Sequence, residues 1–184
     1  MQDKTNVMRL LDSKKVWYRA LYYSNSISGV DVAHELGNNP KQTFKTLVTV
    51  SNTNEHFVFV VPVEFELDLK KAAKAVGVKS ISMIKQKELL PLTGYIHGGC
   101  SPFGMKKYFK TVIDKSAKEY ETIFVSAGKI GYQVEVRTEE ISKIIRVEFE
   151  EIIWLLEKRH IILFGILQQK DKIYYITKLK EKMY

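Results

Sequence analysis

Gly94-Tyr95-Ile96-His97-Gly98-Gly99-Cys100-Ser101-Pro102-Phe103-Gly104-Met105-Lys106-Lys107 is the stretch on which the reading of this chain turns. Four glycines and a proline in so short a run argue against a regular helix or a central strand. Glycine supplies backbone angles that other residues avoid, and it lets a ligand come close to the main chain. The loop is therefore a candidate site. The pair Gly98-Gly99 taken alone is equally what a plain tight turn requires.

Working outward, the segments on either side alternate between helical and strand-like patterns. Upstream, residues 85–89 read as a helical turn or two, 81–83 as a short strand, and 69–76 as a helix with Asp68 as N-cap and Gly77 as its stop. Residues 44–50 and 56–62 are apolar, β-branched runs joined by Ser51-Asn52-Thr53-Asn54-Glu55, which reads as a hairpin. Ser28 opens a helix whose apolar face is Val30, Val32, Ala33 and Leu36, closed by Gly37 and followed by the turn Asn38-Asn39-Pro40. Residues 17–23 form an aromatic strand, and 6–13 a short amphipathic helix with Val7, Leu10 and Leu11 on one face. Downstream come strands at 111–114, 122–126 and 132–136, with a glycine-containing turn at 127–131. A helix is expected over 138–145, capped by Thr138, with Glu139 and Glu140 suiting the dipole of its first turn. Residues 149–159 read as an amphipathic helix, 161–167 and 173–177 as a hairpin, and the end as basic. Helices interleaved with hairpins and single strands predict an α/β (mixed α+β) fold, a mixed sheet surrounded by helices.

Composition bounds the rest. The chain has 184 residues, 45% hydrophobic and 11% aromatic, enough for one cored domain with an appendage. A single cysteine, Cys100, excludes an intrachain disulfide, and the four histidines are scattered without zinc-ligand spacing. No metal is expected. The first residues lack the charged start and apolar run of a signal peptide, and no apolar stretch has membrane-spanning length, so a cytoplasmic location off the membrane is expected. A net charge of +8 and a pI near 9.4 suit a polyanionic partner, nucleic acid first, although a solvated basic surface accounts for the charge equally well.

Three segments, in this order and spacing, carry a resemblance: Phe44-Lys45-Thr46-Leu47-Val48, the loop quoted above, and Val125-Ser126-Ala127-Gly128-Lys129-Ile130-Gly131, supported by Leu67-Asp68-Leu69-Lys70-Lys71. Together they resemble the YbaK and prolyl-tRNA synthetase editing-domain family. The resemblance covers residues 1–152 as the editing domain and leaves 153–184 as an extension of unassigned role. It implies a mixed, partly closed sheet beside a cleft that receives the aminoacylated terminal adenosine of transfer RNA. It also implies trans-acting ester hydrolysis without metal or organic cofactor, with cysteinyl-tRNA(Pro) as substrate. Cysteine and proline are close in volume, and a binding pocket separates such side chains by only ~1–3 kcal/mol, which is why a hydrolytic second check is needed. Prolyl-tRNA synthetase is implied as a partner that supplies RNA identity.

Carried over residue by residue, the resemblance puts Lys45 at the mouth of the cleft. There its ammonium would pair with the terminal phosphate and favour charge on the carbonyl oxygen. Gly98 and Gly99 would offer backbone amides to the oxyanion. Tyr23, Thr46, Ser126 and Gln133 would line the substrate. In an alternating strand only one of Tyr22 and Tyr23 faces the site, and the position of Thr46 suits the core equally well. Gln133 stands where relatives often have aspartate; an amide cannot serve as a general base. Near Ser28 an aromatic residue common in relatives is missing. In that branch the substrate's own thiol is thought to attack its ester, which explains the absence of a catalytic triad. Cys100 has no helix N-terminus or orienting carboxylate beside it and reads as a small packing residue, as does His97. Lys70, Lys71, Lys106 and Lys107, with Lys74 and Lys110 beside them, are candidate RNA contacts. Two alternatives stay open: a deacylase for alanine or another small amino acid, and a non-catalytic module that binds aminoacyl ends or a synthetase.

Overall fold

The first three helices each start where a side chain can satisfy their free amides. In a computed structural model, which describes residues 3–24 and 28–154, the hydroxyl of Thr5 accepts the amide of Met8 to open α1 (Asn6–Ser13). Ser28 and Asp31 form a reciprocal capping box on α2 (Gly29–Glu35), and the Asp68 carboxylate takes the amides of Lys70 and Lys71 at the head of α3 (Leu69–Val76). Gly77, at φ +78°, closes α3 in the left-handed conformation that only glycine adopts cheaply.

The strands form two sheets. One has three strands in the order β1 (Tyr18–Tyr22), β7 (Tyr132–Arg137), β6 (Thr122–Ser126), all antiparallel. The other has five, ordered β4 (Ile81–Met83), β2 (Phe44–Ser51), β3 (His56–Pro62), β5 (Lys110–Asp114), β8 (Val147–Glu150). Its β4–β2–β3 half is antiparallel and its β3–β5–β8 half parallel. The expected mixed α/β architecture is therefore present. Strand β3 is buried on both faces: Val58 and Val60 point into a core shared with Phe44, Val125, Val134 and the α1 residues Val7, Met8 and Leu11. Phe57, Phe59 and Val61 point into a second core under α3, with Ala72, Ala73, Val112 and Ile152. That two-sided burial is why the 56–62 run is continuously apolar rather than alternating.

Three expectations are corrected. The helical turn at 85–89 is α4 (Gln86–Thr93), which runs through Pro91. The lost amide would have bonded the carbonyl of Lys87, an exposed residue that water can reach. The helix expected from Thr138 is a 3-10 turn, Thr138–Glu140, followed by the short α5 (Ile141–Ile144). Thr138 does not cap it; its hydroxyl donates to the carbonyl of Tyr120 at 2.9 Å. The helix expected from Phe149 instead begins as strand, since Phe149 and Glu150 end β8, which lies parallel on β5. Residues 151–154 are not helical either, Ile153 forming an isolated antiparallel bridge with Leu67; the rest of that helix, from 155 on, and the expected terminal hairpin lie outside the described residues.

Candidate active site

Lys45 is the second residue of β2, opposite Val61 of β3. Immediately before β2, Thr43 forms a parallel bridge with Phe124 of β6, and the Phe124 amide donates to the Gln42 carbonyl at 3.0 Å. The Gln42 side chain reinforces this junction by donating to the Thr122 carbonyl at 2.7 Å. Both chains run the same way, so the register of that single bridge, carried two residues on, sets Lys45 level with Ser126. Ser126 pairs with Gln133 of β7, and Gln133 with Leu21 of β1. Strand alternation places all four side chains on one face. The junction of the two sheets thus carries a row, Lys45–Ser126–Gln133–Leu21, drawn from four strands.

The row is partly shielded and polar. Lys45 Nζ lies 3.3 Å from Glu66 Oε1; the lysine side chain is 27% exposed and the glutamate 67%. So open an ion pair is worth at most ~1 kcal/mol, which makes Glu66 a partner that a substrate anion can displace. The Ser126 hydroxyl accepts the Gly128 amide at 3.2 Å and keeps its own proton for another acceptor. Gln133 is only 6% exposed. Its Oε1 receives the Asn38 side-chain amide at 3.5 Å, while its own amide nitrogen donates to nothing among the described residues. Tyr23 directly follows β1, half-buried, with its amide on the Gly131 carbonyl at 3.0 Å. Alternation sets it on the face of Leu21 and therefore of the row, and sets the exposed Tyr22 on the other. Thr46 lies on the face of β2 opposite Lys45, across from Val60 of the main core. Its hydroxyl is buried with no partner.

The double glycine is built differently from expectation. The Gly99 amide donates to the Ile96 carbonyl at 3.0 Å, closing a turn with Gly98 at φ +82° as its third residue, a position that demands glycine. A Cβ on Gly99 would sit 3.1 Å from the Ile130 nitrogen, so this residue is glycine for closeness to the turn after β6. The expectation of two open amides is corrected: Gly99 spends its own within the turn, and Gly98 retains one without an acceptor among the described residues. Cys100 beside them is half-buried, and burial pushes its thiol up to about 12, far from the thiolate that a nucleophile needs. His97 is exposed.

Of the RNA-contact lysines, Lys71 holds the fold: its ammonium meets Glu151 Oε1 at 2.6 Å and the Ile153 carbonyl at 3.1 Å. Lys70, Lys106 and Lys107 are exposed and have no carboxylate partner among the described residues. Among those residues no three His, Cys, Asp or Glu side chains cluster as a metal site would, and no helix is long and apolar enough to cross a membrane. A separate groove of about 530 Å³, lined by Lys118, Tyr120, Thr138, Ser142 and Phe149 among others, contains none of the row residues. Asn38 and Glu66 have no signal in the sequence: one looks like an ordinary turn residue, the other like a surface charge.

Two joined sheets with a lysine, a serine and an amide in line across their junction, and a glycine turn at one end, define a class. The family model of the aminoacyl-tRNA editing domain matches residues 27–144, and the chain belongs to that family. It is 46% identical, over 82% of its length and 94% of the relative's, to an Enterococcus faecalis protein provisionally named Cys-tRNA(Pro)/Cys-tRNA(Cys) deacylase EbsC. A proline–tRNA ligase of Pelobacter propionicus is 30% identical over 54% of this chain and 17% of the ligase. Among solved structures, one provisionally described as a trans-editing enzyme for prolyl tRNA synthetase shares the fold, with a TM-score of 0.72, 20% identity, and coverage of 81% of this chain and 95% of that one.

Proposed function

We propose that the protein hydrolyses, in trans, the ester of mischarged aminoacyl-tRNA, with cysteinyl-tRNA(Pro) as its substrate and prolyl-tRNA synthetase as the source of the error. The observation that supports the reading is the parallel bridge between Thr43 and Phe124, whose register sets Lys45 level with Ser126 and its strand partner Gln133. In this reading the Lys45 ammonium exchanges Glu66 for the terminal phosphate or the ester oxygen. The Gly98 amide donates to the carbonyl oxygen as it becomes an oxyanion. Ser126 and the Gln133 amide hold the aminoacyl group, and Tyr23 bears on the adenosine. In this reading no side chain of the row is a general base: Gln133 cannot take a proton, and among the described residues the Ser126 hydroxyl has only the Gly128 amide as a hydrogen-bond partner. The nucleophile is then the thiol of the substrate. Its sulfur bonds the carbonyl carbon, the carbon–oxygen ester bond breaks, and the thiol proton ends on the RNA hydroxyl; the cyclic thioester of cysteine so released is then opened by water, which completes the hydrolysis. The protein contributes orientation and charge stabilisation, and the step requires no cofactor.

The test is release of amino acid from tRNA(Pro) charged with cysteine or with alanine. Cysteine should leave faster by orders of magnitude. Equal rates would make water the nucleophile and small amino acids the substrate class. Tight binding of both esters without release would make the protein a binding module.

A further inference from the structure

Around the end of the three-stranded sheet from the Lys45 row lies a group of side chains that the deacylation chemistry leaves idle. Tyr22 is 41% exposed and meets the ring of Tyr132 edge-on, with centroids 5.1 Å apart and planes at 85°. Lys129 Nζ stands 4.7 Å from the centroid of the same Tyr132 ring and has no carboxylate partner among the described residues. Ile130 and Ile96 are each about half exposed, at 51% and 52%. Single exposed apolar residues are ordinary on any protein, but a contiguous set of them beside an unneutralised cation is not.

The set follows one stretch of backbone, Lys129 to Tyr132, and that stretch adjoins the glycine turn. Gly99 lies against the Ile130 nitrogen, and its amide closes the turn that begins at Ile96. A Cβ on Gly98 would meet Ile130 Cγ1 at 3.6 Å. The Tyr23 amide bonds the Gly131 carbonyl. The patch therefore shares its rim with Gly98 and Tyr23, where the ester and its adenosine are placed in the reading above.

Exposed aromatic rings, an apolar flank and a cation without a carboxylate partner among the described residues fit one kind of occupant best, a flexible polyanion carrying flat apolar faces. Unpaired bases stack on tyrosine with little regard to sequence, and an ammonium beside the ring pairs with the backbone phosphate. A second copy of this chain fits poorly, because a net charge of +8 opposes self-association across a cationic patch. A duplex stem fits no better, since its bases are already stacked. Resting on the deacylase reading, we infer that Tyr22, Tyr132, Lys129 and Ile130 form a stacking platform for the unpaired nucleotides that immediately precede the terminal adenosine of the transfer RNA.

The experiment compares two substrates, cysteinyl-tRNA(Pro) and the cysteinyl ester of adenosine alone, with wild type, Tyr22→Ala, Tyr22→Phe and Lys129→Gln. Tyr22→Ala should raise KM for the RNA about fivefold or more, the loss expected for one stacked base, and leave the adenosine ester unaffected. Tyr22→Phe keeps the ring and should behave as wild type. Lys129→Gln should raise the RNA KM and flatten the dependence of log(kcat/KM) on log salt by about 0.7, the release expected for one phosphate contact on a single strand. An unchanged RNA KM in Tyr22→Ala overturns the inference, as does an equal rise for both substrates. So does a change in sedimentation mass with RNA affinity intact, which would give the patch to a second copy. If wild type cleaves neither ester, the deacylase reading fails by itself. The platform is then judged by anisotropy with uncharged tRNA, where Tyr22→Ala must still weaken binding about fivefold and an unchanged affinity overturns it.

Discussion

At the residue scale the site is defined by which polar atoms are already committed. Lys45 has a weak, displaceable partner in Glu66, so Glu66→Gln should lower KM for charged RNA by up to about fivefold while leaving kcat within a factor of two, read from steady-state kinetics at low salt. Cys100 and Tyr95 show the opposite commitment. Burial pushes the thiol from its ordinary 9.0, and the phenol from 10.0, up to about 12 each. The Tyr95 hydroxyl also donates to the Phe103 carbonyl at 2.5 Å. Both groups are neutral in the fold where the unfolded chain would ionise. Their contribution is complete below about pH 9 and is lost as pH rises through 12. The melting temperature should fall above pH 9, and Cys100→Ala should show a shallower fall over the same range. Lys45, Ser126 and Gln133 could be picked out of the sequence because motif order marks them. Their meeting could not, because it depends on a parallel bridge between Thr43 and Phe124 that no local pattern announces. Nor does a glycine pair say which of its two amides is spent on its own turn, as that of Gly99 is.

At the element scale, local chemistry was legible wherever it was self-contained. The caps Ser28 of α2 and Asp68 of α3 and the β2–β3 hairpin lie within a few residues of the sequence that specifies them. Legibility failed where a distant partner decides. Val147-Glu148-Phe149-Glu150 alternates half-buried and exposed because β5 is beside it, and the apolar residues after it then mimic a helical face. Asp114 makes that closure possible. It is almost fully buried, and its carboxylate accepts the Ile152 amide at 2.9 Å and both the amide and hydroxyl of Ser116. Asp114→Ala leaves these donors without an acceptor in a buried site and should cost at least ~2 kcal/mol in urea unfolding, with an unchanged m-value. A loss below about 0.5 kcal/mol would mean that β8 is held by its ladder alone.

At the scale of the whole molecule, two sheets share one core and meet along one parallel contact. Some of the lysines behind the net charge of +8 are held in structural ion pairs. Glu151 is held by Lys115 and Lys71, at 2.7 and 2.6 Å, and these pairs bring its carboxyl down to about 2 from an ordinary 4.5. A carboxylate lowered in the fold adds stability that is present above pH 4.5 and lost as pH falls through 2. Acid unfolding should therefore steepen below pH 4.5, and Glu151→Gln should soften it. The same pairing explains why a lysine count overstates any surface offered to RNA: the Lys71 charge is spent on the fold, while Lys70, Lys106 and Lys107 have no carboxylate partner among the described residues.

The most direct measurement is the single-turnover rate of cysteine release from cysteinyl-tRNA(Pro) by wild type, Lys45→Ala and Cys100→Ala, each checked for folding by its thermal transition. A cleft worked by the Lys45 ammonium and the thiol of the substrate requires Lys45→Ala to lose at least ~100-fold and Cys100→Ala to stay within a few-fold of wild type. A folded Lys45→Ala at wild-type rate beside an inactive Cys100→Ala would contradict the account.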